Sequence, residues 1–119
     1  ELFNFTNNIL EYFSKTELAI TRSGASVTAE LINCNIPFIS IPYPHAADSH
    51  QEKNATYFEK KGYSVLVKEA EVEKRLFPLI ESFYKDKKLL DKIIEKQKKY
   101  SDKETFMKIN SVIKNLKYA

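Results

Sequence analysis

Leu18-Ala19-Ile20-Thr21-Arg22-Ser23-Gly24-Ala25-Ser26-Val27-Thr28-Ala29-Glu30 is the stretch that decides the fold. Leu18 to Ile20 is a short apolar run of the kind a buried strand uses, and Ser23-Gly24 is a turn signal. Beyond the turn, Val27, Leu31 and Ile32 recur at helical spacing. Twelve residues after Glu30 comes Pro42-Tyr43-Pro44-His45-Ala46-Ala47-Asp48-Ser49-His50-Gln51-Glu52-Lys53-Asn54, a second polar block at a second strand-to-helix junction. In an open parallel sheet the carboxyl ends of the strands line the ligand crevice. Two polar blocks at successive strand ends therefore predict one shared site.

Outward from this stretch the same alternation continues. Ile36-Pro37-Phe38-Ile39-Ser40-Ile41 reads as the next strand, entered at a proline that cannot donate to a ladder. Asp48 or Ser49 can cap the following helix, which the pattern carries to about Lys61 and stops at Gly62. Tyr63 to Val67 reads as a third strand. Upstream, apolar residues at 5, 9, 10, 12 and 13 make a helical stripe from Phe5 to Phe13. Residues 1–68 thus read β-α-β-α-β behind a leading helix, with connections too long for hairpins and right for crossover helices. Residues 69–119 show only helical patterns, roughly 71–84, 87–99 and 103–117. Pro78 falls inside the first and is expected to kink or split it. The fold class is α/β, one domain over residues 1–119, with a parallel sheet followed by C-terminal helices. Three strands make a narrow sheet, so further strands are expected upstream.

Composition narrows the function. No apolar run approaches the ~18 residues of a membrane span, and the first fifteen residues do not read as a secretory signal. A start at Glu1 without Met is what a piece of a longer protein would show. Cys34 is the single cysteine, so no internal disulfide or zinc-type cluster is available. It is expected as a small buried residue at a helix end, which suits a reducing cytoplasm. Residues 1–63 carry five Lys/Arg against seven Asp/Glu, and residues 64–119 fourteen against nine. In the basic half, acids alternate with bases at helical spacing, the pattern of a solvated face. Attraction to an anionic membrane surface remains open on the same charges; nucleic acid is not expected as a partner.

Ser23-Gly24-Ala25-Ser26 opens a helix directly after a strand. Unsatisfied N–H groups and the helix dipole there favour an anion, and small residues let a diphosphate approach the backbone. A plain helix-capping turn is the structural alternative. Glu30 lies a turn and a half further along, where a carboxylate can accept hydrogen bonds from two vicinal ribose hydroxyls; a solvent-facing helix acid is the alternative. At the next helix start His50 and Gln51 can bond sugar hydroxyls or phosphate oxygens. Asp48 reads as a cap, His45 as a loop-ordering residue, and no partner acid marks His50 as a general base.

The pattern Arg22-Ser23-Gly24-Ala25-Ser26-x-x-x-Glu30, followed by Ile41-Pro42-Tyr43-Pro44-His45-Ala46-Ala47-Asp48-x-His50-Gln51-x-x-Asn54-Ala55, resembles the C-terminal domain of the bacterial peptidoglycan N-acetylglucosaminyltransferases. These are family 28 glycosyltransferases of the two-Rossmann-domain (GT-B) type. The resemblance is most specific over residues 22–55. It implies a Rossmann-like donor-binding domain and a reaction that moves N-acetylglucosamine from UDP-N-acetylglucosamine to lipid I, forming lipid II. It implies backbone near Thr6 and the Ile9 side chain at the uracil, Ala25 and Ser26 at the phosphates, Glu30 at the ribose, and His50 with Gln51 at the sugar. It also implies an inverting displacement without a cofactor or metal, since there is no Asp-x-Asp motif. The catalytic base and the lipid I acceptor site would lie outside this chain, at the cytoplasmic face of the bacterial membrane. Many relatives carry Asp where Ser49 stands. Two other readings stay open: the donor-binding subunit of a split transferase, resembling dolichol-linked chitobiose synthase, and a non-catalytic nucleotide-sugar-binding module.

Overall fold

A computed structural model describes residues 9–44 and 50–100, with side chains from Tyr12 onward. The helix expected over 103–117, and Thr6, His45, Asp48 and Ser49, lie outside the described residues. The elements are α1 (Ile9–Ser14), β1 (Ala19–Thr21), α2 (Ala25–Asn33), β2 (Phe38–Ser40), α3 (His50–Lys61), β3 (Val65–Leu66), a 3₁₀ turn (Glu69–Glu71), α4 (Val72–Lys85) and α5 (Lys88–Lys98).

The three strands form one parallel sheet in the order β1-β2-β3, with Ala19 opposite Phe38, Ile20 opposite Ile39, and Ile39 opposite Val65. Successive strand residues point to opposite faces, and this sheet buries both. On one face Phe38 packs with Leu31 and Ile32 of α2 and Phe58 of α3. On the other, Ile39 packs with Val67, Phe83 of α4, and Leu90 and Ile93 of α5. Both clusters are closed by aliphatic and aromatic side chains, and such burial is the main term that holds a domain of this size together.

β2 and β3 are shorter than the apolar runs that announced them. Ile36 and Tyr63 are buried, but their N–H groups bond Leu31 O at 3.0 Å and Phe58 O at 2.9 Å, closing the ends of α2 and α3 instead of entering the ladder. Each closure needs a left-handed residue just before it: Asn35 has φ 57° and Gly62 has φ 83°. Gly62 thus ends α3 where the sequence places the stop.

Of the two outcomes expected at Pro78, a kink or a split, the split does not occur: α4 is continuous from Val72 to Lys85 with Pro78 inside it. Pro78 is exposed, so the carbonyl that loses its partner at position 74 lies on the side water can reach. Cys34 is exposed rather than buried. It caps α2 after the buried Leu31 and Ile32 have turned inward, and the last turn carries it past the core.

Candidate donor site

The C-terminal ends of the strands carry the polar residues that the sequence singled out. After β1 the chain passes through Arg22, Ser23 and Gly24 into α2. Gly24 is the N-cap, with φ −65° and ψ 140°, and among the described residues no side chain caps the helix. Thr28 reinforces the first turn, its hydroxyl donating to Gly24 O at 2.8 Å. The first N–H groups of α2 therefore have no intrahelical acceptor and no cap. No acidic residue stands in the first turn to neutralise the dipole. Ala25 and Ser26 are exposed there. A Cβ built on Gly24 would meet nothing within 4 Å. Neither backbone conformation nor packing among the described residues requires glycine at this position.

Ser23 is different. It is fully buried, and its Oγ has no hydrogen-bond partner. Ser23 therefore sits beneath the turn that opens α2, where its small size lets the turn pack closely. Glu30 is half-buried on α2, and among the described residues its carboxylate enters no ion pair or hydrogen bond. Ile9 opens α1, but its side chain is outside the described region, as is all of Thr6.

At the second junction His50 is the exposed first residue of α3, and Gln51 follows, half-buried. Gln51 Oε1 accepts the Tyr43 main-chain N–H at 2.8 Å. Arg22, to which the sequence reading gave no role, joins the loops. Its Nη1 donates to Ile41 O at 3.3 Å, its Nη2 to Glu69 Oε1 at 2.9 Å, and its guanidinium lies 5.6 Å from the Tyr43 ring centroid. These partners come from the segments that follow β2 and β3, so one side chain bridges all three strand ends. Beside it Pro42, Pro44, Glu52, Lys68, Glu69 and Ala70 line a shallow cleft of about 420 Å³. Among the described residues no three His, Cys, Asp or Glu side chains converge to hold a metal ion. None of the described helices is long and apolar enough to cross a membrane.

Residues 1–113 match the family described as the glycosyltransferase family 28 C-terminal domain. The chain belongs to that family. Among relatives of this family 28 domain are proteins named UDP-N-acetylglucosamine–N-acetylmuramyl-(pentapeptide) pyrophosphoryl-undecaprenol N-acetylglucosamine transferase. The one from Pelagibacter ubique is 41% identical over 75 residues, 63% of this chain and 21% of that protein. The one from Prochlorococcus marinus is 36% identical over 115 residues, 92% of this chain and 32% of that protein. The crystal structure of Acinetobacter baumannii MurG superposes with a TM-score of 0.73 over 84% of this chain and 29% of that one, at 20% identity. That likeness is one of fold: a parallel sheet with flanking helices, Rossmann-like in architecture. The family 28 domain thus spans a third or less of the length of these relatives.

Proposed function

We propose that this domain binds UDP-N-acetylglucosamine for a transferase that places the sugar on lipid I, making lipid II at the cytoplasmic face of the bacterial membrane. The names of the relatives support the reaction, and Gly24 is the observation that carries the site. An N-cap glycine with an ordinary φ and, among the described residues, open space beside it is required there neither by backbone conformation nor by packing. It has a role if a ligand lies against the backbone there.

In this reading the uncapped start of α2 receives the diphosphate through the Ala25 and Ser26 N–H groups and the Ser26 hydroxyl. Glu30, unengaged among the described residues, accepts the ribose hydroxyls. His50 and Gln51 at the start of α3 read the hexose, and Thr6 and Ile9 lie by the uracil. The reaction is an inverting displacement at the anomeric carbon, in which the bond to UDP breaks as the acceptor oxygen attacks. Charge grows on the departing diphosphate, and preorganised N–H dipoles at the helix start stabilise that charge more than the ground state. Acceptor, base and membrane contact come from the remainder of the full-length protein. Ile20, 49% exposed on the outer strand β1, is suited to packing against more of that protein.

The test is Gly24→Ala in the full-length protein. The new methyl meets nothing among the described residues, so folding should change by under about 1 kcal/mol, an N-cap effect. UDP affinity should fall by roughly tenfold or more, because the methyl occupies the approach to the N–H groups. Wild-type UDP binding by Gly24→Ala would mean that no diphosphate sits against α2.

A further inference from the structure

We propose that Arg22 is a positioning residue for the sugar subsite: through Tyr43 it holds the Gln51 amide so that Gln51 presents N–H donors, and no acceptor, to the hexose. The inference rests on the donor-site reading above.

The geometry runs from the backbone outward. Tyr43 N–H lies 2.8 Å from the Gln51 side-chain oxygen. A main-chain N–H can only donate, so the amide orientation is fixed by chemistry: oxygen toward Tyr43, the NH₂ group away from it. Gln51 therefore offers donors to a neighbouring hydroxyl oxygen. Its polarity is only as well defined as the place of Tyr43.

Tyr43 stands between Pro42 and Pro44, whose rings limit the backbone on both sides. That stiffens the loop without saying where it lies over the sheet. Arg22 supplies the position, with a guanidinium that reaches Ile41 O, Glu69 Oε1 and the Tyr43 ring at once. A planar fork can satisfy these directions together; a lysine ammonium, a point charge on a flexible stem, cannot. The Arg22–Glu69 pair is about half exposed, at 48% and 43%. Such a pair contributes little to folding. Placement is the property left to it, and small misplacements near a reacting centre are costly.

The experiment uses the full-length protein with Arg22→Lys and Gln51→Glu. It measures KM and kcat for UDP-N-acetylglucosamine, inhibition by plain UDP, and the melting midpoint. Gln51→Glu keeps an oxygen for the Tyr43 N–H but replaces the donor with an acceptor. It should raise the KM for the UDP-sugar about tenfold or more, with UDP inhibition within about twofold of wild type. Arg22→Lys should show the same split at a smaller size, roughly three- to tenfold, with an unchanged melting midpoint. Tyr43→Leu, which keeps the N–H but loses the ring under the guanidinium, should resemble Arg22→Lys, and the double variant should be less than additive.

Equal loss of UDP and UDP-sugar in Arg22→Lys would place the guanidinium on the diphosphate and overturn the proposal. So would wild-type sugar kinetics in Arg22→Lys alongside impaired kinetics in Gln51→Glu, since Gln51 would then hold its place unaided. Failure of the donor-site reading looks different: the wild-type protein would bind neither UDP nor UDP-N-acetylglucosamine.

Discussion

At the N-terminal ends of β2 and β3 the main chain is satisfied from within the protein, whereas at the C-terminal ends groups are left open. Asn35 and Gly62 turn α2 and α3 back on themselves, and the N–H groups of Ile36 and Tyr63 close those helices. The carbonyls of the same two residues accept both N–H groups of the Gln97 amide, at 2.8 and 2.9 Å. Gln97 is fully buried in α5, so one side chain ties the entries of two strands to the last described helix. Across the sheet, α2 starts without a cap, Gly24 has empty space beside it, and Glu30 has no partner among the described residues. One end spends its polar groups on the fold; the other is where the proposed donor site lies. Substitutions at the first should move stability, and those at the second should move binding.

Gln97→Leu should break this division most visibly. It fits the buried volume approximately but leaves the Ile36 and Tyr63 carbonyls without their donors. Each unpaired buried group costs on the order of 1–3 kcal/mol. The lost amide oxygen, itself unpartnered, offsets part of this, so a net loss of about 2–4 kcal/mol is expected in denaturant melts. UDP affinity of the folded fraction should stay the same. A stable Gln97→Leu protein would show that the clamp is incidental.

Glu30→Ala probes the other end. Alanine favours the helix, and no bond within the chain is lost, so the melting midpoint should hold or rise slightly. Donor efficiency should fall roughly 30- to 150-fold, the equivalent of about 2–3 kcal/mol for a charge-assisted pair of hydrogen bonds. UDP and UDP-N-acetylglucosamine should weaken together, because both carry the ribose. Unchanged kinetics would return Glu30 to the status of a helix acid.

The smallest effect sharpens the contrast between the two glycines. Gly62 has φ 83°, and an added Cβ would lie 3.1 Å from Lys96 Cγ. The backbone penalty dominates, since the lysine chain can move aside, and Gly62→Ala should lose about 1–2 kcal/mol of stability with binding intact. Gly24→Ala, described above, should do the reverse. Equal behaviour of the two variants would abolish the distinction between the ends.

How far the sequence could be read follows from the same contrast. The parallel β-α-β-α-β order was legible because apolar runs and helical periodicity alternate with crossover spacing, and Gly62 announced its own stop. Strand ends were overextended at Ile36 and Tyr63. Burial made these residues look like strand, while their N–H groups belong to the preceding helices. Pro78 read as a kink or a split, and the helix continues through it with the proline on its exposed side. Gly24, Ala25, Ser26, Glu30, His50 and Gln51 could be nominated from local pattern, since helix starts are local features.

By itself, then, the sequence determined everything that depends on near neighbours: element types and order, the two strand-to-helix junctions, and the residues that decorate them. Tertiary structure alone decided that Ser23 is buried, that Gln97 is a clamp, and that Arg22 joins three strand ends. Gln97 meets its partners 61 and 34 positions away, and Arg22 meets Ile41 and Glu69 at separations of 19 and 47. A polar side chain carries no mark of which distant carbonyl it will face. Only the packing of helices against the sheet brings those groups to 2.8–3.3 Å, where a hydrogen bond forms.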